Sequence, residues 1–108
     1  MIFPRSIYAI RNTVTGKMYI GSSKDAIGRI YHHLMMLRCG KHSVEDMQLD
    51  YDEYGEHYEA FLLDTIQTYS DKSKEYQWMK KYHSYDRRYG YNYKDQHFAL
   101  RTKSRESE

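Results

Sequence analysis

Residues 6–21 constrain the fold of this chain more than any other stretch. Ser6-Ile7-Tyr8-Ala9-Ile10 is followed by a polar turn through Asn12 and Gly16, and then by Met18-Tyr19-Ile20-Gly21. Two short runs rich in β-branched and aromatic residues, joined by a short glycine-containing loop, read as a β-hairpin. Strand side chains alternate between faces, so Ser6, Tyr8 and Ile10 share one side of the first strand, and Lys17, Tyr19 and Gly21 share one side of the second. If those sides coincide across the pairing, two phenols stand next to each other on one face of a sheet. Spacing alone also allows a plainer role, an ordinary half-buried tyrosine on each strand. The residues that follow decide between the two.

Ser22 and Ser23 are expected to cap a helix over residues 24–38. Its apolar positions Ile27, Ile30, Tyr31, Leu34 and Leu37 fall at the spacing of one buried stripe. Arg29 and His33, four residues apart on the flank of that stripe, can reach a site beside the sheet, whereas His32 points to solvent. Taken alone, a helix-flank arginine is an ordinary surface charge. Gly40 ends the helix, and Ser43-Val44-Glu45-Asp46 has the form of a capped start to a second one. That helix carries Val44, Met47, Tyr51 and Tyr54 as its stripe and stops at Gly55. Residues 58–66 form a third strand, where the consecutive apolar positions Phe61, Leu62 and Leu63 imply two covered faces and hence a central place in the sheet. Residues 68–71 are a loop.

A third helix over residues 72–83 has the stripe Glu75, Trp78, Met79 and Tyr82, with a carboxylate at its first position. A buried charge has to be paired or bind a metal, because leaving it alone costs several kcal/mol. A capping box does not account for Glu75, since the residue three positions earlier is Lys72, which cannot accept the bond. Nor does a surface ion pair along the helix, since the residue four positions on is Met79. Glu75 is therefore a candidate functional residue.

Composition narrows the class. The 108 residues show no internal repeat, which fits one small domain over residues 1–93 followed by a polar tail at 94–108. A single cysteine excludes an internal disulfide framework, and no apolar run approaches a membrane span, so no membrane partner is expected. No apolar signal core follows Arg5, which makes the cytoplasm the expected location. The net charge of +2 permits nucleic-acid binding without arguing for it. Tyrosine is the unusual residue, with 13 against three Phe and one Trp. Each phenol offers a packing face and a polar tip, which suits a thin core open to a wet groove. Residues 84–93 interleave Arg87 and Arg88 with tyrosines, as a groove wall for nucleic acid does, although a polar loop with packed rings has the same composition.

The order of Ser6-Ile7-Tyr8, Tyr19-Ile20-Gly21, Arg29, His33, His42, Glu75 and Asn92 resembles the GIY-YIG endonuclease domain, especially that of phage-type homing endonucleases. The resemblance runs over about residues 5–93. Either tripeptide alone is a weak signal; both at this spacing, with the later Arg, Glu and Asn, are a strong one. Ser6 stands where the family usually has Gly, which bears on backbone approach at that point and so on rate or substrate fit.

The resemblance implies an α+β fold, a small three-stranded antiparallel sheet flanked by helices, that hydrolyses DNA phosphodiesters with one divalent metal, Mg²⁺ or Mn²⁺. By that analogy Glu75 holds the metal and Arg29 stabilises charge on the phosphoryl oxygens. Tyr8 takes the proton of the attacking water. Tyr19, His33 and His42 position Tyr8, the water or the phosphate. Asn92 ties the last segment to the site and, with Arg87 and Arg88, is placed on the substrate side. A chain of this size has no room for a separate DNA-reading domain. Targeting then falls to weak intrinsic specificity, to a homodimer or to a separate partner, or the chain is part of a longer protein. Two alternatives compete. His33, Cys39 and His42 could form a zinc site, since Cys-x-x-His is a credible ligand spacing. A nucleic-acid-binding module of the same fold could have lost cleavage, which the intact Tyr8, Arg29 and Glu75 argue against.

Overall fold

Asn12 builds the first turn. Its side-chain oxygen accepts the backbone N–H groups of Val14 (2.8 Å) and Thr15 (3.0 Å), its carbonyl accepts that of Gly16, and its own N–H donates to Lys17. This is the local bonding that makes asparagine a turn former, and Gly16 supplies the positive φ of 79° that closes the loop. The turn joins β1 (Arg5–Asn12) to β2 (Met18–Ser23) in an antiparallel pair that sets Tyr8 opposite Gly21 and Ile10 opposite Tyr19. The chain continues through α1 (Ala26–Arg38), α2 (Glu45–Tyr54), β3 (Tyr58–Ile66) and α3 (Ser73–Tyr82). The computed structural model describes residues 5–66 and 73–93, so the expected loop at 68–71, the start of the third helix at Lys72 and the polar tail lie outside the described residues.

The strand order is β2-β1-β3, all antiparallel. β1 is thus the central strand and β3 an edge, which corrects the reading of Phe61, Leu62 and Leu63 as a strand covered on both sides. Phe61 and Leu63 pack on one face, while Leu62 on the other is 58% exposed. A register shift opposite Ile7 and Tyr8 inserts Leu63, so Asp64 also turns to the covered face, where it accepts from Trp78 Nε1 at 3.2 Å.

Each face of the sheet has its own core. On one, Ile7, Ala9, Met18, Ile20 and Ile66 pack against Met79, with Trp78 and Tyr82 of α3 beside them. On the other, Tyr8 and Ile10 pack against Ala26 and Leu37 of α1, Met47 of α2, and Tyr91. The α1 stripe is offset from expectation: Ala26, Ile30, Leu34 and Leu37 face the sheet, but Ile27 and Tyr31 are 76% and 61% exposed. Its cap differs too. β2 runs through Ser22 and Ser23, and the side chain that caps α1 is Asp25, whose Oδ1 accepts the Gly28 N–H at 3.0 Å. At the other end Gly40 takes φ 73°, with its N–H on Leu37 and that of Lys41 on Met36, a Schellman ending. α2 starts without a side-chain cap, at Val44. Glu45 and Asp46 in its first turn complement the helix dipole instead. Among the described residues no helix is long and apolar enough to cross a membrane.

Past α3 the chain returns to the outer edge of β2. Gly90 bridges Met18, Tyr91 N–H donates to Met18, and Asn92 Oδ1 accepts the Ile20 N–H (2.8 Å) while its Nδ2 donates to the Ile20 carbonyl (2.9 Å). This segment covers backbone groups that an open edge would expose.

Candidate active site

The hairpin register decides the first question. Because Tyr8 lies opposite Gly21 and Ile10 opposite Tyr19, both phenols project from one face, with ring centres 6.5 Å apart. Gly21 has no side chain, and the Tyr8 ring occupies the space: a Cβ there would come within 2.5 Å of the hydroxyl oxygen. α1 crosses this face and lays His33 against both rings, 4.7 Å from Tyr19 and 6.0 Å from Tyr8, centre to centre. His33 Nε2 is 3.2 Å from the Tyr8 oxygen, and His33 Nδ1 is 2.8 Å from Nε2 of His42, which the loop after α1 supplies.

A cleft of about 420 Å³ opens here, lined by Tyr8, Tyr19, Arg29, His33, His42 and Glu75 together. Glu75 reaches it from the far layer. α3 packs on the opposite face of the sheet, and its first turn stands beside β2, where Ser22 Oγ donates to Glu75 Oε2 at 3.1 Å. Glu75 as a whole is 8% exposed. Among the described residues, Arg5, Lys41 and Arg29 bring three cationic side chains to the cleft beside the Glu75 carboxylate, a balance suited to a phosphate-bearing ligand.

The surroundings perturb Tyr8 and His33. Burial raises the Tyr8 phenol above its ordinary value, with Tyr19 and Glu75 adding to the effect and Arg29 opposing it. Burial also lowers His33, to about 4, with His42, Arg29 and His32 contributing in the same direction. His33 is accordingly a neutral imidazole at pH 7.

Of the residues singled out in the sequence, Tyr8, Tyr19, Arg29, His33, His42 and Glu75 converge, and Asn92, Arg87 and Arg88 do not line the cleft. The two polar ends of the Asn92 amide are committed to the backbone of β2. Arg87 makes a two-point fork on Asp46, 2.7 Å at each contact, and lies over the Tyr93 ring; Arg88 pairs with Asp86. His32, expected to face away, lies on the cleft wall. The zinc arrangement is not formed: His33 and His42 bond each other, Cys39 is exposed, and among the described residues no three His, Cys, Asp or Glu side chains gather as metal ligands.

Several lining residues were not legible from the sequence. Ser22 read as a helix cap, and only the continuation of β2 to Ser23 turns it towards Glu75. Arg5 and Lys41 carry no local pattern that separates them from other surface cations. Gln48 is also part of the architecture: its Oε1 accepts the His42 backbone N–H (3.0 Å), and its Nε2 donates to the Leu37 carbonyl (3.0 Å).

Comparison with known proteins places the chain in a family. The sequence profile described as the GIY-YIG catalytic domain matches residues 4–92. Intron-associated endonuclease 1 of Enterobacteria phage T4 is 34% identical over 95 residues, which span 86% of this chain and 38% of that protein. The chain therefore corresponds to well under half the length of this relative. Two solved structures share the fold. The catalytic domain of intron endonuclease I-TevI, as a Glu-to-Ala mutant, superposes with a TM-score of 0.75 at 33% identity, covering 84% of this chain and 95% of that one. The catalytic domain of homing endonuclease I-TevI gives 0.72 at 31% identity, covering 80% and 96%. The fold of this chain thus recurs in both structures, and the chain belongs to the GIY-YIG catalytic domain family, as a nuclease domain similar to the catalytic domain of a homing endonuclease.

Proposed function

We propose that this domain hydrolyses DNA phosphodiester bonds with a divalent cation, Mg²⁺ or Mn²⁺, held at Glu75. The observation that carries the reading is the convergence of a carboxylate, a guanidinium and two phenols from opposite layers of the fold onto one cleft, where an apolar core would be more stable.

The residues fit such an ion. Among the described residues, one carboxylate beside a serine hydroxyl in a polar cleft suits a hard cation that keeps several of its waters, whereas zinc would call for a cluster of imidazoles or thiolates, which they do not form. A divalent cation there supplies Lewis-acid stabilisation of the phosphoryl and leaving oxygens, and sets a positive charge beside the Glu75 carboxylate.

The protein's own groups do the rest. Arg29, on the wall of the cleft, meets the charge that develops on the phosphoryl oxygens, and its planar fork matches two of them at once. Tyr8 takes the proton of the attacking water at its phenol oxygen. Its raised pKa keeps it protonated in the empty cleft; Arg29, and a cation at Glu75 were one bound, would favour release of that proton to water in the open cleft, which leaves the phenolate as the base. Tyr19 and His33 hold the Tyr8 ring by contact, and Arg5 and Lys41 offer charge to the flanking phosphates. DNA is the substrate on this reading, and sequence targeting is left to a homodimer, a separate partner or residues of a longer chain.

The test separates a nuclease from a module that only binds. Arg29→Ala should lower plasmid cleavage by about 10²–10³-fold while weakening DNA binding far less. Equal losses of rate and affinity would make Arg29 a phosphate anchor and remove its part in the chemistry.

A further inference from the structure

The hydrogen bonds at Tyr8 begin at a group that takes no part in the reaction. The backbone N–H of Val44, at the entry to α2, donates to Nδ1 of His42 at 3.0 Å. A neutral imidazole nitrogen that accepts a bond carries no hydrogen, so the hydrogen of His42 is on Nε2. That nitrogen lies 2.8 Å from Nδ1 of His33, which must then be the acceptor. His33 in turn holds its hydrogen on Nε2, 3.2 Å from the Tyr8 oxygen. Each ring is assigned by its neighbour, and the first assignment comes from an amide that has no alternative state.

We infer that the Val44 backbone N–H sets the direction of the whole chain, so that His33 donates to the Tyr8 oxygen and the two histidines position the phenol rather than carry its proton away. The reversed chain would oppose two N–H groups, those of Val44 and of His42 Nδ1, across 3.0 Å. A proton added to either ring does the same, at Val44 or between the rings, and the lowered pKa of His33 agrees with this. Nor can the pair drain a proton from Tyr8. His33 Nε2 is already occupied, and the far end of the chain is an amide that does not titrate. What the arrangement does supply is a donor fixed on the phenol oxygen, which favours its anion and leaves the Tyr8 hydrogen directed away from His33. Gln48 holds the geometry, because its amide joins the His42 backbone to the Leu37 carbonyl of α1, the helix that carries His33.

The inference rests on the role given to Tyr8 above, yet its first test needs no activity. In the ¹⁵N-labelled full chain near neutral pH, long-range ¹H–¹⁵N correlations distinguish the two neutral tautomers of each ring. Both His33 and His42 are expected as the Nε2–H form, and an Nδ1–H form at either position overturns the inference. Val44→Pro removes the starting donor at a residue with φ −89° and ψ 107°, near the range proline adopts. His42 should then become a mixture of tautomers and cleavage should fall by roughly ten- to a hundredfold. A folded Val44→Pro protein with unchanged tautomers overturns the part given to Val44; should that variant not fold, the wild-type spectrum still decides. A wild-type protein with both expected tautomers but no cleavage would keep this inference and remove the function proposed for the site. A cleaving protein with His42 as Nδ1–H would do the reverse.

Discussion

A Cβ on Gly21 would lie 2.5 Å from the Tyr8 hydroxyl oxygen and 2.7 Å from its ring carbon Cζ. The two tripeptides that mark this hairpin are thus matched parts: one brings the phenol, and the other gives it a strand with no side chain in the way. Tyr8 is 2% exposed and packed among Ile10, Ala26 and Leu37, so its ring cannot simply swing aside. Gly21→Ala should cost about 1–3 kcal/mol of stability through overpacking and reduce cleavage further by moving the hydroxyl. Chemical denaturation and plasmid nicking check the two effects, and wild-type values for both would contradict the contact.

His33 makes stability depend on pH. Its folded pKa is near 4 against an ordinary value of 6.5, so between those values the unfolded chain binds a proton that the folded one does not. The contribution of His33 is complete above about pH 6.5 and is lost as pH falls towards about 4. Urea unfolding across that window should show stability falling with pH, with a shallower fall in His33→Asn. The same slope in both proteins would contradict the burial of a neutral imidazole.

Asn92 and Arg87 should behave as structural residues. Asn92→Leu strips both bonds from Ile20 at a buried edge and should cost about 1–3 kcal/mol. Cleavage per folded molecule should change little. Arg87→Ala opens an exposed pair with Asp46 and should leave the salt dependence of DNA binding unchanged. A reduced salt slope in Arg87→Ala would return that residue to the substrate.

Where the sequence was readable, a local rule and the tertiary fold agreed. The alternation of Tyr8 and Tyr19 with their neighbours allowed both phenols on one face, which the register then sets, and the carboxylate on the Trp78-Met79-Tyr82 stripe singled out Glu75, which lines the cleft. Where it was not, a longer-range fact intervened. Leu62 is apolar but sits on an edge strand, and Ile27 and Tyr31 are apolar on a helix turned so that Ala26 and Ile30 meet the sheet. Periodicity cannot distinguish an apolar residue that is buried from one that is not. Arg87 and Arg88 looked like a substrate wall because charge and rings alternate there, and Asn92 was set beside them by the family resemblance. Their partners, Asp46, Asp86 and the Ile20 backbone, come from contacts that composition does not encode. The Val44 and Gln48 contacts to His42 involve its backbone or ring in a loop, where no side-chain pattern announces them.

Glu75 is the carboxylate that joins the α3 layer to the phenols of β1 and β2. The most direct measurement is nicking of supercoiled plasmid by the full chain with Mg²⁺ or Mn²⁺, with excess chelator, and by Glu75→Ala shown to be folded by circular dichroism. The predicted result is nicking with the cation, none with chelator, and background alone for Glu75→Ala. Undiminished nicking by the folded Glu75→Ala protein, or nicking that persists in chelator, would contradict the claim that this cleft works through a cation held at Glu75.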